Sequence, residues 1–273
     1  MSSSRSNPVI CRLCGTHFPP DEKPEACAVC VDVRGLGFAP RGDGRLTTLQ
    51  ELQQGFRLET SEVDPGLVGI GMTPQFAAGH RALVVQTPEG NVMWDCLPII
   101  DDEAVAAVEE LGGLTAIAVS HPHFYGAMVE WSRTFGDAPI YVHEADREWV
   151  LRPDPAVRYW SGPTQSLPGG LTLIHCAGHF EGAAVLHWPA GADGRGALLS
   201  SDPISVTPDR HVTFMYAYPN LIPLNVAAIQ RIVKSLAPFD YDRVQGGFAG
   251  SVIPRNAKQA VAESAERYIA AIQ

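Results

Sequence analysis

Apolar positions recur along the chain in two rhythms. Short unbroken or alternating runs of four to seven residues read as strands, among them HRALVVQ, NVMWDCL, LTAIAVS, APIYVH, LTLIHC, AAVLHW and GALLSS. Between and after them lie segments with a period near 3.6. EAVAAVEEL is capped by Asp101 or Asp102 and stopped at Gly112-Gly113; AMVEWSRTF and EADREWVL follow it, and VAAIQRIVKSL and AKQAVAESAERYIAAI lie near the end. TPEG joins the first two strands as a turn. TTLQELQQG predicts a short helix with Thr47 as its N-cap and Gly55 just past its end. This alternation predicts an α/β fold.

Composition narrows the picture. Of 273 residues, 45% are hydrophobic and 18% charged, enough apolar surface for a full core. The net charge of −10 and the lack of a basic stripe argue against nucleic acid as a partner. No apolar run approaches the roughly 20 residues needed to span a bilayer. MSSSRSNPVI lacks the apolar centre of a signal peptide, so the expectation is a cytoplasmic protein with a small-molecule substrate and no membrane partner.

In that compartment cysteines serve metals or thiol chemistry rather than disulfides. Four of the six fall in CRLCGTHFPPDEKPEACAVC: Cys11 and Cys14 form one C-x-x-C, Cys27 and Cys30 another. Two such turns supply the tetrahedral thiolate set that suits Zn²⁺ or iron. Gly15 follows the first pair, where the turn calls for a positive φ. The segment resembles a rubredoxin-like zinc ribbon. Expected boundaries are a four-cysteine metal knuckle over 1–34, a linker and short helix over 35–59, and one larger domain over 60–273.

A second constellation lies in that larger part. SHPHFYG sets His121 and His123 two apart beyond an apolar strand, and Pro122 pushes His121 toward an extended conformation. Extended backbone would turn both imidazoles to one side. His179 stands in a Gly-flanked turn, and Asp202 and Asp95 each directly follow an apolar strand. In this order the residues resemble the metallo-β-lactamase superfamily, over about 60–273. The resemblance implies an αββα sandwich with His121, His123, His179 and Asp202 as metal ligands and Asp95 supporting them. Two departures accompany it. Where the family runs H-x-H-x-D-H, Tyr125 and Gly126 replace the aspartate and last histidine, and VQGGFAG offers no late histidine. One metal, zinc or iron, is therefore expected rather than two.

The leading expectation is a mononuclear metal-dependent hydrolase of a small ester, thioester, lactone or amide, with Asp202 orienting a water and Tyr125 donating to a developing oxyanion. Alternatives are a mononuclear non-haem iron oxygenase or redox protein, and a non-catalytic fold that binds a metabolite or protein. Cys96 and Cys176 read as buried packing residues, and His80 as either a pocket or a structural residue. Tyr216, Tyr218 and Trp160 are candidate pocket walls.

Overall fold

A computed structural model describes residues 7–35 and 45–273. Two sheets face each other. The first has seven strands, in the order Val157–Trp160, Ile140–His143, Ala116–Ala118, Val92–Trp94, Ala82–Val85, Leu67–Thr73 and Arg57–Asp64. The four strands from Val92–Trp94 to Val157–Trp160 run parallel, and the rest pair antiparallel. The second sheet has six, from Thr164–Ser166 through Thr172–His175, Ala184–Trp188, Ala197–Leu199 and Arg243–Gln245 to Val252–Ile253.

Strand alternation builds three apolar layers. Leu83, Val85, Val92 and Trp94 point inward and meet Leu173, Leu186, Trp188 and Leu199 of the other sheet. Val84, Met93 and Ile117 point outward and join Val105, Val108 and Trp131 of the helices Asp102–Glu110 and Met128–Thr134. On the far side, Ile174, Val185 and Leu198 pack beneath Ile229, Ile232 and Val261 of Val226–Leu236 and Ala257–Ile272. The result is the expected αββα sandwich. Among the described residues no helix is long and apolar enough to cross a membrane.

Several local expectations change. The Gly- and Arg-rich stretch 33–46, which reads as a linker, lies mostly outside the described residues, but Leu46–Thr48 is a strand: it pairs with Val9–Cys11 and completes a three-stranded sheet with His17–Phe18. The helix Leu49–Gly55 is capped by Thr48, not Thr47. Thr48 accepts from the Glu51 N–H while Glu51 reaches back to the Thr48 N–H, a reciprocal capping box. EADREWVL forms 3₁₀ turns kinked at Asp146 instead of an α-helix, because that carboxylate turns inward to accept from the Gly182 N–H at 2.7 Å.

Burial pushes the Asp146 carboxyl up to about 7, against the pull of the Gly182 N–H and the Arg34 charge. Its native affinity for a proton then exceeds that of the unfolded chain, so its contribution to stability is present in acid and lost as pH rises through about 7. Asp146→Asn keeps an acceptor for Gly182. It is expected to flatten the decline of Tm between about pH 4 and 7; a decline parallel to that of the native chain would contradict this.

Candidate metal centres

The knuckle comes first in the chain. Gly15 takes φ +78° after Cys14, and Cys27 opens a single helical turn, Ala28–Val31, that carries Cys30. Cys11 Sγ lies 3.6 Å from Cys30 Sγ, and Cys14 Sγ lies 3.5 Å from Cys27 Sγ. Zn–S bonds of ~2.3 Å in a tetrahedron place sulfurs about 3.7 Å apart, so the four thiols are spaced for one such cation. The knuckle is seated on the sandwich: His17 bonds the Pro98 carbonyl at 2.8 Å, and Trp149 and Leu151 pack against its cysteine core.

The second centre gathers at the ends of strands from both sheets. His121 is extended, at φ −170°, as Pro122 dictates. His123 is not, because Pro122–Phe124 closes a 3₁₀ turn, with the Phe124 N–H on the His121 carbonyl. Proline is favoured at the start of a helical turn, and that preference decides the local path. The two rings still converge, with centroids 5.2 Å apart. His179 comes from the turn after Thr172–His175, lifted by two left-handed residues, Ala177 and Gly178. A side chain at 178 would strike Leu224, so glycine is required there twice over.

Asp202 closes the set. Its Oδ2 lies 3.3 Å from His121 Nε2, 3.5 Å from His179 Nε2 and 3.8 Å from His123 Nδ1, and the last two nitrogens are 3.3 Å apart. Bonds of ~2.0–2.1 Å in a tetrahedron give edges of about 3.3 Å, so these separations fit one cation. His121 Nε2 is buried with no hydrogen-bond partner, a deficit that a cation would remove. Burial holds His121 and His179 below the usual histidine range, the latter at about 3, keeping both neutral as ligands must be. Burial opposes ionisation of Asp202, but the His121 and His123 imidazoles beside it outweigh it and hold the carboxyl well below its ordinary range.

The supporting shell was only partly visible in the sequence. The hydrogen bonds of Asp95 go to serines, not to the histidines. Asp95 accepts from the Ser120 N–H at 2.7 Å and the Ser201 hydroxyl at 2.5 Å, and so ties together the residues preceding His121 and Asp202. Burial lifts its carboxyl to about 7 despite those bonds. Ser120 Oγ contacts His121 Nδ1 at 2.8 Å, the Tyr216 carbonyl holds His179 Nδ1 at 2.8 Å, and the Tyr218 hydroxyl donates to the Asp202 carbonyl. These partners fix tautomer and ring orientation. Serines at strand ends carry no distinctive sequence signal, which is why Ser120 and Ser201 escaped it.

Other candidates fall elsewhere. Tyr125 is buried in the outer core and lines a small cavity with His17 and Arg152; it makes no hydrogen bond or ring contact with the four ligands, so the expected oxyanion donor does not face them. Trp160 packs against His143 between the sheets, and Cys96 and Cys176 are core residues. His80 stacks on Phe124, which also meets His121. At Gly126, φ is +40° and a Cβ would lie 2.4 Å from the Leu97 carbonyl oxygen, so no histidine fits that backbone. Among the described residues the two sets above are the only groups of three or more His, Cys, Asp or Glu side chains arranged for a metal.

No family model matches the chain. It is 41% identical over 267 residues to the uncharacterized protein YmaE of Bacillus subtilis (strain 168), with 96% of each chain covered. Among solved structures it is similar to the DIM-1 metallo-β-lactamase exposed to ceftazidime, at 12% identity and a TM-score of 0.59, covering 80% of this chain and 98% of that one. A metallo-β-lactamase of Cronobacter sakazakii with a HARLDQ motif is similar at 19% identity and a TM-score of 0.52, covering 78% and 92%. At such identities the likeness speaks to the fold, which is that of the metallo-β-lactamases.

Proposed function

We propose, on the premise that this chain belongs to one family with YmaE and has the metallo-β-lactamase fold, that it is a mononuclear metal-dependent hydrolase of a small ester, thioester, lactone or amide. The observation that carries this reading is the convergence of three imidazole nitrogens and the Asp202 carboxylate at the edge lengths of one tetrahedron. Zinc held there would supply Lewis-acid polarisation of a carbonyl and, where a water joins or displaces one of the four donors, a water made acidic near neutral pH. His121 and His179 are fully buried, whereas the His123 and Asp202 side chains are 16% and 11% exposed, so a substrate approaches over that second pair. Asp202 is anionic there, and with Oδ2 turned to the three histidines its other carboxylate oxygen is the one able to orient a water or take up a proton. Asp95, through Ser120 and Ser201, keeps the two strand ends at a constant separation.

A preference for acyl over phosphodiester substrates follows from the single cation, since phosphodiester cleavage often uses two. The test is elemental analysis of the purified chain beside turnover of generic carboxylic esters and thioesters. Two metals per chain, zinc at the histidine site, and measurable ester turnover are expected. Iron there with oxygen uptake would replace the hydrolase reading by an oxygenase one, and metal without either activity would support a binding protein.

A further inference from the structure

The segment just after the last knuckle cysteine reaches the rim of the histidine centre. The Asn220 side chain donates to the Val33 carbonyl at 3.0 Å and pins the backbone there. The next residue, Arg34, lays its guanidinium over Phe180, 4.1 Å from the ring centroid, and within 5.1 Å of Trp149 and 5.8 Å of Tyr216. Phe180 in turn meets His123 and His179 edge-on, with centroids 5.0 and 5.1 Å away. A single ring therefore separates the cation of Arg34 from the ligand cluster. Arg34 and Asp202 share the same slight side-chain exposure, 11%.

Hydrogen bonds hold the guanidinium on one side only, and the Asp146 carboxyl lies near enough to feel its charge. Asp32 takes Nε at 2.6 Å and Nη2 at 2.8 Å, as well as the Arg34 backbone N–H. Nη1, with its two N–H groups, has no partner among the described residues. An arginine clamped by a carboxylate and stacked on an aromatic face is pre-organised, and its remaining donors are a ready anion site. With the Asp32 charge behind it, the group suits a monoanionic carboxylate better than a phosphate dianion.

We infer that Arg34, delivered by the four-cysteine knuckle, is a substrate-binding residue of the histidine centre, and that the substrate carries a free carboxylate beyond its reacting carbonyl. The bond cleaved rests on the hydrolase reading; the anion bound does not. The substrate class is then an ester, thioester or amide derived from a short dicarboxylic acid.

Valerate and glutarate differ only in a terminal methyl or carboxylate. Calorimetric titration of the metal-loaded full chain with each acid separates capture at the metal from capture at Arg34. Glutarate is expected to bind at least about tenfold more tightly than valerate, the scale of one charge-assisted pair. Arg34→Ala is expected to bring the two within about twofold with metal content intact, and Arg34→Lys to restore part of the difference. The inference is overturned if the native chain shows no preference, if the preference survives Arg34→Ala, or if that change weakens both acids equally. This readout needs no turnover. A glutarate preference without ester hydrolysis would sink the hydrolase reading alone, and hydrolysis without the preference would sink this one alone.

Discussion

His179→Ala is expected to empty the histidine centre and lower ester turnover by more than about 100-fold, since even outer-shell changes around a catalytic metal cost 10–100-fold. The ring supplies a nitrogen 3.5 Å from Asp202 Oδ2 and 3.3 Å from His123 Nδ1, and no other described side chain can replace it. The chain stays folded, because His179 sits in a turn while the layers beneath it hold themselves. Its loss leaves the Tyr216 carbonyl without its imidazole partner, at a cost of about 1–3 kcal/mol. Metal analysis should fall from two equivalents to one. Full metal content with undiminished turnover would remove this centre from the chemistry. Ser120→Ala is the milder companion: it leaves every ligand in place and frees His121 Nδ1, so a 10–100-fold loss of metal affinity is expected.

The second large effect belongs to the knuckle. Cys27→Ala/Cys30→Ala removes two of the four thiols, and the sulfur pairs at 3.5 and 3.6 Å are both broken. A segment this small buries little apolar surface and depends on its cation, whose binding free energy is folding free energy. Its three strands and the contacts of His17 with Pro98 are expected to loosen together, with one metal equivalent lost and Tm lowered by on the order of 10 °C. Because Asp32 and Arg34 follow Cys30 directly, the same variant is expected to lose the glutarate preference while keeping the metal at His121, His123, His179 and Asp202. An unchanged melting curve would mean that the strands, not a cation, hold the knuckle in shape.

Much of this was legible before any coordinates. The paired C-x-x-C units, H-P-H, the Gly-flanked His179 and the strand-end Asp202 are local patterns whose chemistry dictates their spacing, and the structure brings each set together. Strand and helix rhythms were equally readable, because a two-sheet sandwich forces apolar residues onto alternating positions. What the tertiary structure alone decided concerns partners distant in sequence. Asp95 acts through the Ser120 N–H and the Ser201 hydroxyl, 25 and 106 residues away, and neither donor announces in the sequence whom it will meet. Tyr125 stands two residues from a ligand yet faces the outer core, because the 3₁₀ turn at Pro122 rotates the chain. Leu46–Thr48 reads as the end of a linker and the cap of a helix, and becomes a strand only because Val9–Cys11 offers it an edge. Arg34 lies in a stretch that reads as a connection; its role arises where the knuckle folds back over Phe180, a contact spanning 146 residues that no local pattern encodes. Periodicity and ligand spacing are short-range properties of a chain, whereas the reach of one side chain to another is set by how the layers pack.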